Sequence, residues 1–197
     1  MSRQASTKRQ TKETTIEASL NVDGTGVVEV STGLPFFDHM IEQLGRHGSF
    51  DVTLKAEGDL AVDAHHTVED TGIVLGGLLA EALGDKAGVR RFASMSLPLD
   101  EALIEVALDL SGRPFIAYDV EFAPDTPGLG SPPFNPQLAE EFWRAFATAG
   151  NLTLHVRMRE GKNTHHIVEA TFKGVARSLR DAVRIEGGGI PSTKGSL

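Results

Sequence analysis

The sequence predicts an α+β fold in which one structural unit is used twice. Three observations lead there. The expected elements run hairpin, helix, strand, helix, and then strands, helix, strand, helix, so the second half repeats the first. A His-His-x-x-Glu motif stands in each half, beginning at His65 and at His165, 100 residues apart. Of the 197 residues, 40% are hydrophobic, enough for a sizeable buried core. Two four-stranded sheets, each packed with two helices, satisfy this pattern. Element order alone fits an undivided α+β domain equally well, and the paired histidine motifs decide for duplication.

Each element has a local reason. Residues 1–10 are polar and read as a flexible arm. Residues 14–22 and 27–31 alternate apolar and polar around the turn Asp23-Gly24-Thr25-Gly26, which predicts a β-hairpin. Residues 34–44 place Phe37, Met40, Ile41 and Leu44 at helical spacing, with Pro35 near the start, where proline is tolerated. A strand is expected over 50–57 and a long helix over 65–83, ended by Gly84. Strands follow over 94–98, 102–110 and 116–121, then a loop rich in proline and glycine over 124–136. A helix is expected over 138–149, a strand over 152–159, a turn at 160–163 and an amphipathic helix over 164–185. The glycine- and proline-containing end cannot form regular helix or strand. The units are therefore an arm (1–10), a first repeat (11–91), a second repeat (92–186) and a tail (187–197).

Composition excludes several classes. Acidic residues outnumber basic ones 27 to 19, for a net charge of −8, so nucleic acid is not expected as a partner. There is no cysteine, which removes disulfides, thiolate metal sites and cysteine nucleophiles. No apolar run reaches the roughly 20 residues of a membrane span. The first ten residues have no apolar stretch of the secretory kind. A cytoplasmic protein with no membrane partner is the expectation.

The chemistry sits on the histidines. Four of the seven form the dyads of His65-His66-Thr67-Val68-Glu69 and His165-His166-Ile167-Val168-Glu169. A helix turns about 100° per residue, so His65 and Glu69 share a face, as do His165 and Glu169. Each pair can chelate one ion, while His66 and His166 point elsewhere. Across a pseudo-twofold axis each lone histidine can complete the opposite site, which predicts two metal ions. The preceding helices add His39 and, in the second half, Glu141. Imidazole and carboxylate donors suit Mn²⁺, Fe²⁺, Co²⁺, Ni²⁺ or Zn²⁺. Core packing has no use for two adjacent histidines, twice. His47 and His155 stand alone and are left unassigned.

Six segments go further: Phe36-Phe37-Asp38-His39-Met40, Asp63 to Asp70 around the first dyad, Pro98-Leu99-Asp100-Glu101-Ala102, Leu110-Ser111-Gly112-Arg113-Pro114, Gly161 to Ala170 around the second dyad, and Pro191-Ser192-Thr193-Lys194-Gly195. Together the chain resembles the imidazoleglycerol-phosphate dehydratase family from about Arg9 to its end. The resemblance implies two repeats of the ribosomal protein S5 domain 2-like type. It implies a lyase of histidine biosynthesis that converts imidazole glycerol phosphate to imidazole acetol phosphate and water. It also implies two Mn²⁺ per active site and a homo-oligomer of twenty-four chains built from trimers, with active sites between chains.

By the same resemblance, one metal takes His39, His65, Glu69 and His166, and the other takes His66, His165, Glu169 and Glu141. Many members carry histidine where this chain has Glu141, and a carboxylate remains a suitable hard ligand. Arg91, Arg113, Lys173, Ser192 and Lys194 are expected on the phosphate, with the tail as a lid over the substrate. Gln43 and Glu13 are further substrate contacts, Glu13 reaching a neighbouring chain's site. The hydrogen removed is not α to a carbonyl, so the ring must expel hydroxide through an imidazolate and a diazafulvene-like intermediate. Glu169, or alternatively Glu13, then moves the carbon-bound proton. Two rivals are a divergent metal-dependent hydrolase and a non-catalytic metal-binding shell. The zincin His-Glu-x-x-His helix has a different ligand order, and a storage shell leaves the Arg91, Arg113, Lys173 and tail set unexplained.

Overall fold

The computed structural model describes residues 3–197. It contains two four-stranded sheets of the same order, β1-β2-β4-β3 and β5-β6-β8-β7. The first repeat runs β1 (Gln4–Gln10), β2 (Thr14–Asn21), β3 (Val28–Ser31), α1 (Pro35–Gly48), β4 (Asp51–Gly58) and α2 (His65–Leu83). The second runs β5 (Phe92–Leu99), β6 (Ala102–Asp109), β7 (Phe115–Asp119), α3 (Leu138–Ala149), β8 (Thr153–Glu160) and α4 (Thr164–Ala182). The duplication is therefore structural, element for element.

Two expectations change. The arm over 1–10 is strand β1 from Gln4 to Gln10, paired antiparallel with β2 (Met1 and Ser2 lie outside the described residues). It carries one buried side chain, Ala5, and Lys8 and Arg9 pair with Glu17 and Asp70. An edge strand takes its backbone bonds from one neighbour and needs no apolar stripe, so its polar sequence concealed it. The expected hairpin of residues 14–22 with 27–31 does not form either. β4 lies between those strands, antiparallel to β2 and parallel to β3. The chain leaves β3, crosses through α1 and returns as β4, and the second repeat does the same with β7, α3 and β8. Alternation marks a strand but not its partner.

The turn after β2 is held from a distance. The Asp51 carboxylate accepts from the backbone N–H groups of Thr25 (2.8 Å), Val27 (3.0 Å) and Gly26 (3.1 Å). Those bonds, Thr25 and Val27 foremost, hold its carboxyl below the usual range. A depressed carboxylate contributes stability above the unfolded-state pKa of about 3.9 and loses it as pH falls through the lower folded value. Asp51→Asn should therefore cost about 1 kcal/mol at neutral pH, the low end for charge-assisted bonds because the site is partly solvated. The difference should begin to shrink at about pH 4 and vanish only below the lowered folded value, as urea denaturation of both proteins across pH would show.

The helices lie between the sheets. α2 packs on β1, β2 and β4, and α4 on β5 and β6. Across the middle α1 packs against α4 and α2 against α3, so each pair draws one helix from each repeat. The α2–α3 crossing is very close. A Cβ on Gly72 would lie 2.6 Å from the Phe142 carbonyl oxygen, and one on Gly76 would lie 2.3 Å from that of Phe146. The crossing of α1, α3 and α4 is filled by aromatics: Phe37 stacks on Phe134 at 5.7 Å, and Phe172 packs on Phe142 at 5.2 Å and Trp143 at 4.7 Å. Phe134, from the proline- and glycine-rich loop, is fully buried.

Candidate metal centre and active site

Both dyads open their helices, and a side chain two residues before each first histidine accepts from its backbone N–H. Asn163 caps α4, its side chain accepting from the backbone N–H of His165 (2.9 Å) and His166 (3.4 Å). Asp63 accepts from the His65 N–H at 2.6 Å. The buried stripes of α1 and α3 match position for position: Phe36, Phe37, Met40, Ile41 and Leu44 against Leu138, Ala139, Phe142, Trp143 and Phe146. His39 and Glu141 are therefore counterparts.

Because α1 packs against α4, His39 meets the second dyad. His39, His165 and Glu169 each present a ligand atom within 4.8 Å of the other two. Glu169 Oε2 lies 3.0 Å from His165 Nε2 and 3.6 Å from His39 Nε2, while Oε1 pairs with Lys173 Nζ at 2.6 Å. Burial alone would raise the Glu169 carboxyl, but the Lys173 hydrogen bond and charge, with His39 and His165, outweigh it and hold it below the usual range. Gln43, nearly buried, meets His39 Nδ1 at 3.2 Å, and Phe36 sets its ring edge-to-face with His165.

The counterpart cluster is looser. His65 Nε2 stands 3.9 Å from Glu69, and Glu141 lies 3.9 Å from Arg144 on its own helix. Among the described residues, only the His39 group converges to ligand distance. One chain therefore does not bring His39 together with His65, Glu69 and His166, nor Glu141 together with His66, His165 and Glu169. The α1–α4 and α2–α3 pairings set which side chains meet.

The lone histidines have partners of their own. Asp59 holds His66 Nδ1 at 3.0 and 3.2 Å, and Glu101 holds His166 Nδ1 at 2.8 Å. These bonds raise both imidazoles, and the His166 bond, with the Asn163 and Lys162 backbone, lowers Glu101 to about 2. Glu13, in the β1–β2 turn, places its carboxylate 3.8 Å from His66 Nε2 of its own chain and is half exposed. Asp59 and Glu101 were not singled out from sequence. The available signal was that a ligating histidine generally gives its other ring nitrogen to a carboxylate or carbonyl.

The remaining candidates divide. Arg91 forks onto Asp109 (2.7 and 3.1 Å) and donates to the Pro191 carbonyl at 2.7 Å, so it ties the tail to β6. The Ser192 hydroxyl accepts from the Lys194 N–H, and the last residue of the tail lies against Gly112, beside Arg113. Arg91 thus meets the start of the segment 191–197, and Gly112, next to Arg113, meets its end. Lys173 pairs with Glu169 at 2.6 Å, beside the His39 group. Among the described residues, no helix is long and apolar enough to cross a membrane.

The chain is similar to known proteins that share one name. Residues 32–179 match the family described as imidazoleglycerol-phosphate dehydratase. The protein of that name from Acidothermus cellulolyticus is 51% identical over 99% of this chain and 93% of its own length. The one from Parafrankia sp. is 51% identical over the full length of both. Among solved structures, the Staphylococcus aureus enzyme superposes with a TM-score of 0.80 at 34% identity, covering 91% of this chain and 97% of its own. The Pyrococcus furiosus enzyme, in complex with (S)-C348, superposes with a TM-score of 0.82 at 35% identity, covering 97% of this chain and 100% of its own. A helix pairing that gathers His39, His165 and Glu169, a fold shared with those enzymes and relatives similar from end to end lead to one conclusion: the chain belongs to the imidazoleglycerol-phosphate dehydratase family.

Proposed function

We propose that this chain dehydrates imidazole glycerol phosphate to imidazole acetol phosphate in histidine biosynthesis, as a manganese-dependent cytoplasmic lyase. The observation that carries the reading is the convergence of His39, His165 and Glu169 in a chain of this family. Two imidazoles and a carboxylate, without thiolate, suit Mn²⁺ and the neighbouring divalent metals. His65, Glu69 and Glu141 would hold a second ion, and His66 and His166 would complete the two sites. Ions held by these residues would supply Lewis-acid charge to the substrate's imidazole, lowering its pKa as a bound metal lowers that of water.

The chain's own residues do the rest. Both Glu169 oxygens are engaged, by His165 and Lys173, which suits a ligand. Glu13 is half exposed beside His66, which suits the group that moves the carbon-bound proton. Arg91, Arg113, Ser192 and Lys194 would hold the phosphate, and the tail would close over it and exclude water. The His39, His65 and His165 side chains are 39%, 42% and 43% exposed. The open, three-donor site of His39, His165 and Glu169 leaves room for ligands from further copies of the chain, as a homo-oligomer of twenty-four built from trimers would supply.

The test is turnover after chelation. Imidazole glycerol phosphate should yield the ketone when Mn²⁺ is restored and none before. A folded, Mn²⁺-binding protein that forms no ketone with any divalent metal would refute the reading.

A further inference from the structure

The two repeats differ where their symmetry would have them agree. Glu13 and Glu101 are counterparts, since each immediately precedes the second strand of its sheet, Thr14 opening β2 and Ala102 opening β6. Yet Glu101 meets Nδ1 of its lone histidine at 2.8 Å, whereas Glu13 faces Nε2 of His66 at 3.8 Å. In the first repeat Nδ1 belongs to Asp59. Asp59 follows the last residue of β4, Gly58, and its counterpart after the last residue of β8, Glu160, is Gly161. A Cβ at Gly161 would lie 2.6 Å from Ile167 Cγ1, so a side chain there would have to displace Ile167. Ile167 is itself buried behind the second dyad.

From this geometry we infer that Asp59 and Glu101 are the positioning residues of the two lone histidines, recruited from non-equivalent places, and that the presence of Asp59 is what leaves Glu13 unencumbered. The inference rests on the reading of His66 and His166 as ligands. A carboxylate only accepts, so at Nδ1 it selects the Nδ1–H tautomer and leaves the Nε2 lone pair for an ion. It also restrains the ring, so less rotational freedom is lost on binding. In the second repeat the packing of Ile167 leaves only Glu101 to do this. The same Glu101 also accepts from the backbone N–H of Asn163 (2.7 Å) and Lys162 (3.2 Å), which locks it in place. Glu13 has no such duty. Its carboxylate stays on the open Nε2 side of His66, where a ligand would bind.

The variants that test this are Asp59→Ala and Glu101→Gln. Glu101→Gln keeps an acceptor oxygen for the Asn163 and Lys162 N–H groups and presents its amide N–H₂ to Nδ1, which inverts the tautomer, whereas both Asp59 oxygens face Nδ1 with no loop donor to orient an amide, so that carboxylate is removed outright. Two quantities are read on the full assembled protein. The first is Mn²⁺ affinity by calorimetry, expected to fall by about 10- to 100-fold in each variant. The second is the histidine tautomer in the metal-free protein, from solid-state ¹⁵N spectra recorded at alkaline pH, above the raised imidazole values, where both rings are neutral. The parent should show Nδ1–H signals that are lost one at a time, one in each variant. Glu105→Gln, which breaks only a surface pair with Arg159, should change neither quantity. Affinities within twofold of the parent, or Nε2–H at both histidines in the metal-free parent, would overturn the inference. A parent that binds no divalent ion would refute the proposed function, and the tautomer signals would still decide this question. A parent that binds Mn²⁺ with the expected pattern but makes no ketone would refute the activity alone.

Discussion

Glu169→Ala should reduce dehydratase turnover by on the order of 10³-fold, since a lost ligand forfeits several kcal/mol of transition-state stabilisation. Mn²⁺ affinity should fall with it. Glu169 is where the His39 and His165 donors and the Lys173 ammonium converge, so its removal scatters the group and leaves Lys173 without its partner. Glu13→Gln should lose turnover by roughly 10²- to 10⁴-fold, the usual range for general acid–base catalysis, and keep the parent's metal affinity. Steady-state kinetics beside calorimetric Mn²⁺ titration separates the two roles. If Glu13→Gln lost metal affinity and Glu169→Ala retained it, the assignment of ligand and proton carrier would be reversed.

The largest effect on stability is expected at Gly76. The α2 and α3 backbones meet there without intervening side chains, and the Phe146 carbonyl that a Cβ would strike is main chain and cannot swing aside. Gly76→Val should cost at least about 3 kcal/mol, the upper part of the range for overpacking. At Gly77, the next residue, a Cβ would meet nothing within 4 Å, so Gly77→Ala should be neutral or stabilise by up to about 1 kcal/mol. Urea denaturation of the pair gives the contrast directly. Equal midpoints would mean that the close crossing is not needed. The crossing also matters for chemistry. α2 carries His65, His66 and Glu69 and α3 carries Glu141, so a wedge between them spreads the second donor set.

Helix α2 was legible to the residue, because a long run of apolar and small residues begins at the His65 dyad and a glycine follows Leu83. The duplication was legible for a different reason. Chemistry written twice at matching places is a signal that does not depend on packing. Strand β1 was not legible, because an edge strand is defined by the neighbour it borrows bonds from and not by its own side chains. The pairing of β3 with β4 was hidden in the same way, since a short strand chooses its partner through the α1 crossover that brings it there.

The sequence by itself determined which residue types could carry the chemistry: the two dyads, Glu69 and Glu169, His39, and the unusual Glu141. Their spacing on a helix also determined which pairs share a face. Only the tertiary structure decided which pairs meet across elements. His39 joins His165 and Glu169 because α1 crosses α4, Lys173 serves Glu169, and Arg91 holds the tail. The physical reason is that helical period is a local property read along one segment, whereas a donor set depends on which helices cross. That crossing is set by the shape of the surfaces they bury, by Gly72 and Gly76 on one side and by Phe37, Phe142 and Phe172 on the other.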